Sequence, residues 1–195
     1  MPPRKGRRNR VGFRDQRRVI RVLLEGKVTE PAYLRLFQGT DVLMPFGRTG
    51  GYTPMALVKQ ARREVKDNRR LGYADFDEIW CVFDRDEHPD VNSAIEEARQ
   101  SGIETAMSNP CFELWLVLHV QEHSKSVHRH AIQKECQRLG LTHGKAIADG
   151  AAQRLRSGFS VAKQRAQNLD EMHAQTGSPR GSNPSTGVWR LVDRL

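Results

Sequence analysis

Three acidic positions carry the types and spacing that could do chemistry together. Glu25 follows a nearly apolar run, VIRVLL at residues 19–24. Asp84 and Asp86 follow a second run, IWCVF at residues 79–83, in the stretch EIWCVFDRDEH. Carboxylates delivered at the last step of a buried strand either begin a turn and face water or hold a cation. Side chains along a strand alternate, so Asp84 and Asp86 are expected on one side and Arg85 on the other. Neighbouring strands lie about 4.8 Å apart, so Glu25 converges on the pair if its strand is adjacent. Two carboxylates about 4 Å apart repel by roughly 4 kcal/mol at an effective dielectric near 20, and a divalent cation removes that repulsion. Hard oxygen donors without a His or Cys cluster suit Mg²⁺ or Mn²⁺ better than zinc. Asp-x-Asp alone is a weak signal. Glu25 in the matching place, followed directly by Gly26, strengthens it.

Other residues join or frame this set. Glu30 could add a carboxylate, although an acid in the first turn of a helix is favoured by the helix dipole in any case. Asn109 and Glu113 fall near the end of a further strand. Glu113 stands between Phe112 and Leu114, so it is either a buried acid with a partner or a site residue. His88, two residues past Asp86, is a candidate ligand or an ordinary loop histidine. Lys27, Arg48, Lys59 and Arg85 could meet phosphates at the same edge. His119 and His123 have the i,i+4 spacing of a zinc pair, but no acid or cysteine of matching spacing supports them. The loop FGRTGGYTP is not a Walker loop, because no Gly-Lys-Ser/Thr follows, so ATP hydrolysis is not expected of this chain.

Positioning these groups takes an alternating series of strands and helices. The run at 19–24 reads as a central parallel strand, since it is apolar on both faces. A helix is expected from Thr29 as N-cap with Pro31 in its first turn, and then a short strand around 42–44. A helix over 54 to about 71 would turn Met55, Leu57, Val58, Ala61 and Val65 inward. The strand at 78–83, a helix over about 91–100 and a strand over 103–107 come next. An apolar helix is expected from Asn109 as cap, with Pro110 at its first position. Alternation of this kind predicts an α/β fold with a doubly wound, mainly parallel sheet flanked by helices. Residues 124–176 read as two or three helices, 177–185 as a loop and VWRLVDRL as a short amphipathic helix. The expected division is therefore a leader at 1–18, an α/β core at 19–123 and a helical C-terminal region at 124–195 packed on it.

Charge is concentrated in the leader. Residues 1–18 hold eight Lys/Arg against one Asp, whereas the remainder holds 24 against 22, within a total of +9. A segment so basic and so poor in apolar residues is expected to be disordered alone and to attract polyanions by counterion release. Arg4, Lys5, Arg7, Arg8 and Arg10, with Arg48 and Arg85, are the expected nucleic-acid contacts. A solubilising leader without a specific partner is the competing reading. No apolar run has the length of a membrane span and no secretory h-region follows the basic residues, so no membrane association is expected. Three cysteines without metal-type spacing fit a reduced, cytoplasmic setting.

A strand ending in Glu-Gly, then helix, strand and helix, then a strand ending in Asp-x-Asp, is similar to the Toprim domain of topoisomerases, bacterial primases and several Mg²⁺-dependent nucleases. More narrowly, LLEGKVTEPAYL, WCVFDRDEH, SNPCFELWLVLH and NPSTGVWRLV resemble the RloB-like family, found with an ATPase partner in bacterial phage-defence and restriction-associated loci. The resemblance runs from about Val19 to the C-terminus and leaves the leader outside. It implies a metal-dependent nuclease of an anti-phage, abortive-infection system, cutting DNA or RNA and working with an RloA-like ATPase. In that reading Asp84 and Asp86 bind Mg²⁺ or Mn²⁺, and Glu25 is a further ligand or a general acid/base.

Rival readings keep the same residues. A non-catalytic nucleic-acid sensor or regulatory subunit on a Toprim-like scaffold would use the metal only to grip phosphate. A structural adaptor would dock an ATPase through the VWRLV segment. An aspartate-nucleophile phosphatase fits poorly, because it places Asp-x-Asp on its first strand and follows it with Thr.

Overall fold

The structure is a computed structural model that describes residues 17–47, 52–71, 75–85 and 88–195. Asp86, Arg48 and the leader residues Arg4, Lys5, Arg7, Arg8 and Arg10 lie outside the described residues. In chain order the elements are β1 (Arg18–Leu24), α1 (Thr29–Arg35), β2 (Val42–Leu43), α2 (Pro54–Leu71), β3 (Glu78–Asp84), α3 (Val91–Gln100) and β4 (Glu104–Asn109). There follow α4 (Glu113–Leu118), α5 (Arg129–Arg138), β5 (Thr142–His143), β6 (Ala146–Ile147), α6 (Ala151–Gln175), β7 (Ser185–Thr186) and α7 (Val188–Val192).

Among the described residues the main sheet has the order β2-β1-β3-β4-β7, parallel except for β7. Its central strands are apolar on both faces because helices cover both. Ile20, Val22, Leu24, Trp80, Val82 and Ala106 pack into one cluster with α1, α4, α5, α6 and α7. The alternate residues Leu23, Ile79, Cys81 and Phe83 pack with Leu57, Val58 and Ala61 of α2 and Val91, Ala94 and Ala98 of α3. Arg21 breaks the apolar run on the α2 face, where its Nε lies 2.8 Å from Glu64 Oε2. The sheet is mixed, mostly parallel and flanked by helices, consistent with the Toprim-like arrangement expected.

The winding decides where a site can form. From β1 the chain crosses α1 to β2 at one edge, whereas from β2 it returns across α2 to β3 and goes on through α3 to β4. Those crossovers leave β1 and β3 as neighbours whose connections depart in opposite directions, which opens a crevice at their C-terminal ends. Glu25 and Asp84 stand there.

Several local expectations are corrected. Thr29 is the first helical residue and not the cap. Its Oγ1 donates to the Lys145 carbonyl at 2.5 Å, tying α1 to the β5–β6 hairpin. Asn109 is the last residue of β4, and the next helix starts at Glu113, not at Pro110. The pattern Asn-Pro therefore marks a strand end, and the Asn109 Nδ2 donates to the Gly181 carbonyl at 2.8 Å. Two pieces lack a sequence signal because each strand has only two residues. These are the β5–β6 hairpin and β7, which starts at the last residue of the segment read as loop and pairs with Ser108 and Asn109.

The C-terminal helices share the core of the sheet. In α7, Val188, Leu191 and Val192 are buried in the same cluster as Leu24 and Trp80. The long α6 also closes the ends of three other helices with arginines: Arg156 to the Leu36 carbonyl, Arg165 to Leu118 and Arg154 to Leu139, at 2.8, 2.8 and 2.9 Å. Terminal carbonyls have no partner within their own helix, so each arginine satisfies a group left over there. Among the described residues no helix is long and apolar enough to cross a membrane.

Candidate metal centre

Strand register brings the first two acids together. Leu24 pairs with Val82, so the next residue of each strand, Glu25 and Phe83, lies one step from the crevice, with Asp84 beyond. The Glu25 amide donates to the Val82 carbonyl at 3.0 Å. In return the Asp84 amide donates to Glu25 Oε2 at 3.1 Å, which fixes that carboxylate over the end of β3. Asp84 continues the parity of Trp80 and Val82 and so lies on the α1 and α4 face. Arg85 follows with its amide bonded to the Ser108 carbonyl at 2.7 Å.

Two helix starts add two more acids. Glu30 sits in the first turn of α1 with only 9 % of its surface exposed. Its carboxylate lies over Gly26, where a β-carbon would stand 1.8 Å from the nearest carboxylate oxygen. Only a glycine leaves that space, which is a physical reason for Glu-Gly at the end of β1. Glu113 opens α4 and is half-buried.

Electrostatics couples these acids. Burial pushes the Asp84 carboxyl well above its ordinary range, with repulsion from Glu30, Glu113 and Glu25 acting the same way and Arg129 opposing. Burial likewise raises Glu30, aided by Glu113 and Glu25, while the backbone amides of Glu30 and Gly26 bond its carboxylate and lower it. Among the described residues, acids of β1, α1 and α4 thus act on Asp84 of β3 at the crevice, and Arg129 at the start of α5 opposes them. Nothing in sequence spacing points to Arg129, which lies 45 positions beyond Asp84.

The remaining candidates divide. His88 comes near the cluster, its Nε2 lying 3.9 Å from Glu25 Oε1. Lys27 and Lys59 are exposed. Asn109 has its amide engaged with Gly181. His119 is buried away from His123 chemistry: its Nδ1 bonds the Trp115 carbonyl at 2.8 Å and its Nε2 bonds Tyr33 Oη at 3.0 Å. A carbonyl only accepts, so Nδ1 carries the proton and the Tyr33 hydroxyl donates to Nε2.

The donor set suits a hard cation, since it is made of carboxylate oxygens whose mutual repulsion a divalent ion would relieve. Among the described residues, no group of three or more His, Cys, Asp or Glu side chains is placed to hold a metal ion. Asp86, the second acid of the Asp-x-Asp pair, is not among them. The family model described as RloB-like protein matches residues 20–195, whereas no curated protein and no solved structure matches the chain.

Proposed function

The chain belongs to the RloB-like family, and from that premise we propose that it is a divalent-metal-dependent nuclease of a bacterial anti-phage, abortive-infection system. It works in the cytoplasm on DNA or RNA, together with an ATPase partner. One observation carries the reading: Glu25 and Asp84 are locked side by side at the switch point of a parallel sheet, with Glu30 and Glu113 beside them. Neighbouring acids that add to the burial of Asp84 and Glu30 in raising their proton affinity are a poor arrangement for stability and a good one for a cation.

Glu25, Asp84 and Asp86 would hold Mg²⁺ or Mn²⁺, with Glu30 and Glu113 within reach as further oxygen donors. When bound, such an ion polarises the scissile phosphate and lowers the pKa of an attacking water. Around it the chain's own groups orient the reaction. The Asp84 amide holds Glu25 in place, and His88 stands near Glu25, its Nε2 3.9 Å from Oε1. Arg129 offsets the negative charge beside Asp84 and can face a phosphate oxygen. Arg85, leaving the other side of the strand, and the basic leader supply contacts to the backbone of the strand being cut.

The test is titration of Mg²⁺ or Mn²⁺ into wild type and Asp84→Asn, followed by incubation with labelled tRNA, single-stranded DNA and duplex DNA. Metal-dependent cleavage that disappears in the variant supports the nuclease and names its substrate. Metal binding and nucleic-acid binding without cleavage, with the ATPase partner present, would instead assign a sensor that grips phosphate. Absence of metal binding by wild type would sink the proposal.

A further inference from the structure

A second cleft, of about 580 Å³, lies between α3, the β4–β7 edge and the loop leading into β7. This volume is in the range of small-molecule sites and exceeds what a bare inorganic anion fills. One wall is apolar, made by Ile95, Ile103, Met107 and Trp189. The other carries Arg180 and Arg190. Arg190 is held in place, since it donates to the Thr105 carbonyl at 3.1 Å and folds over Gly187, where a β-carbon would stand 2.7 Å from its guanidinium. Desolvation and the nearby Arg180 charge lower the Arg190 pKa, while Asp170 and Glu104 oppose them. Both guanidinium-bearing residues line the same cleft. Asp170 shares the cleft and balances part of their charge.

Gly181 on the rim of the cleft stands beside Arg85, the residue after Asp84: a β-carbon at Gly181 would lie 3.6 Å from an Arg85 guanidinium nitrogen.

We propose that this cleft binds the phosphate of a nucleotide unit, with Arg180 and Arg190 as donors and the apolar wall under the base or sugar. Planar guanidinium forks match phosphate oxygens two at a time, and two of them lining one cleft can share one anion. Free nucleotides and nucleotides within a strand share this chemistry. Nothing in the inference depends on a metal at Asp84, so it can fail while the nuclease reading stands, and the reverse.

The experiment measures binding of AMP by calorimetry, and of a labelled single-stranded decanucleotide by anisotropy, to the full chain without divalent metal. Wild type is compared with Arg180→Ala, checked for unchanged unfolding. Arg180 is exposed, so its loss leaves the core intact. Arg180→Ala is expected to weaken binding about tenfold, as loss of one charge-assisted contact does. AMP binding as tight as that of the oligonucleotide assigns a free nucleotide. Tighter oligonucleotide binding that is still lost in Arg180→Ala assigns a strand passing Arg85. Equal affinities of wild type and Arg180→Ala for both probes, or no binding of either, overturn the proposal.

Discussion

At Asp84, burial and then three like charges act against one carboxylate, and Arg129 opposes them. Removing that charge should therefore stabilise the metal-free protein while abolishing its response to metal. Asp84→Asn is expected to gain about 0.5–2 kcal/mol at neutral pH without metal, in the manner of other strained functional sites. It should lose the rise in Tm that Mg²⁺ or Mn²⁺ gives wild type. Thermal unfolding with and without metal checks both; a destabilised variant would mean that the carboxylate has a structural partner. His119 gives a pH dependence of known sign. Burial lowers its pKa from 6.5 to about 4, so as pH falls the unfolded chain takes up the proton first. Its contribution is complete above pH 6.5 and is lost between there and pH 4, amounting to roughly 2–3 kcal/mol. Urea unfolding at pH 7 and 4.5 should show a larger loss for wild type than for His119→Gln. Equal losses would mean that the imidazole is already charged inside.

Between elements, close approach depends on two glycines. Gly26 makes room for the Glu30 carboxylate above the end of β1. Gly26→Ala should push Glu30 out and weaken metal binding severalfold, and calorimetric titration with Mn²⁺ reads that change. Gly158 lies inside α6, where a β-carbon would come within 2.7 Å of the His119 carbonyl oxygen at the end of α4. Backbone cannot move aside as a flexible side chain can, so Gly158→Ala should cost about 1–3 kcal/mol. The helix propensity of alanine would otherwise make this change stabilising by roughly 1 kcal/mol. Denaturant unfolding gives the sign. A gain would show that α6 can slide, despite Arg154, Arg156 and Arg165 holding the ends of three neighbours.

For the whole molecule, charge and fold are separable. Most of the excess positive charge belongs to residues 1–18, and the family match begins at residue 20. A chain lacking residues 1–16 should keep its metal response and unfolding midpoint. It should bind nucleic acid more weakly and with a flatter dependence on salt, since fewer counterions are released. Affinity measured at several salt concentrations checks this. An unchanged slope would place the contacts on the body of the protein.

Local pattern determined a great deal here. The continuous apolar runs ending at Leu24 and Phe83 specify parallel strands buried on both faces, and α2 follows its apolar spacing over the expected span from Pro54 to Leu71. Glu25 and Asp84 were legible as strand-end acids because strand direction and side-chain parity are written in the residues themselves. Tertiary structure decided the rest. Adjacency of β1 and β3 depends on which way each crossover turns, and Glu30, Glu113 and Arg129 meet Asp84 only because α1, α4 and α5 pack on the same face. The strand end at Asn109 and the two-residue β7 escape sequence patterns, since so short a ladder is stabilised by its partner and not by periodicity of its own. Sequence thus determined which groups could do chemistry, and long-range packing decided which of them share a site.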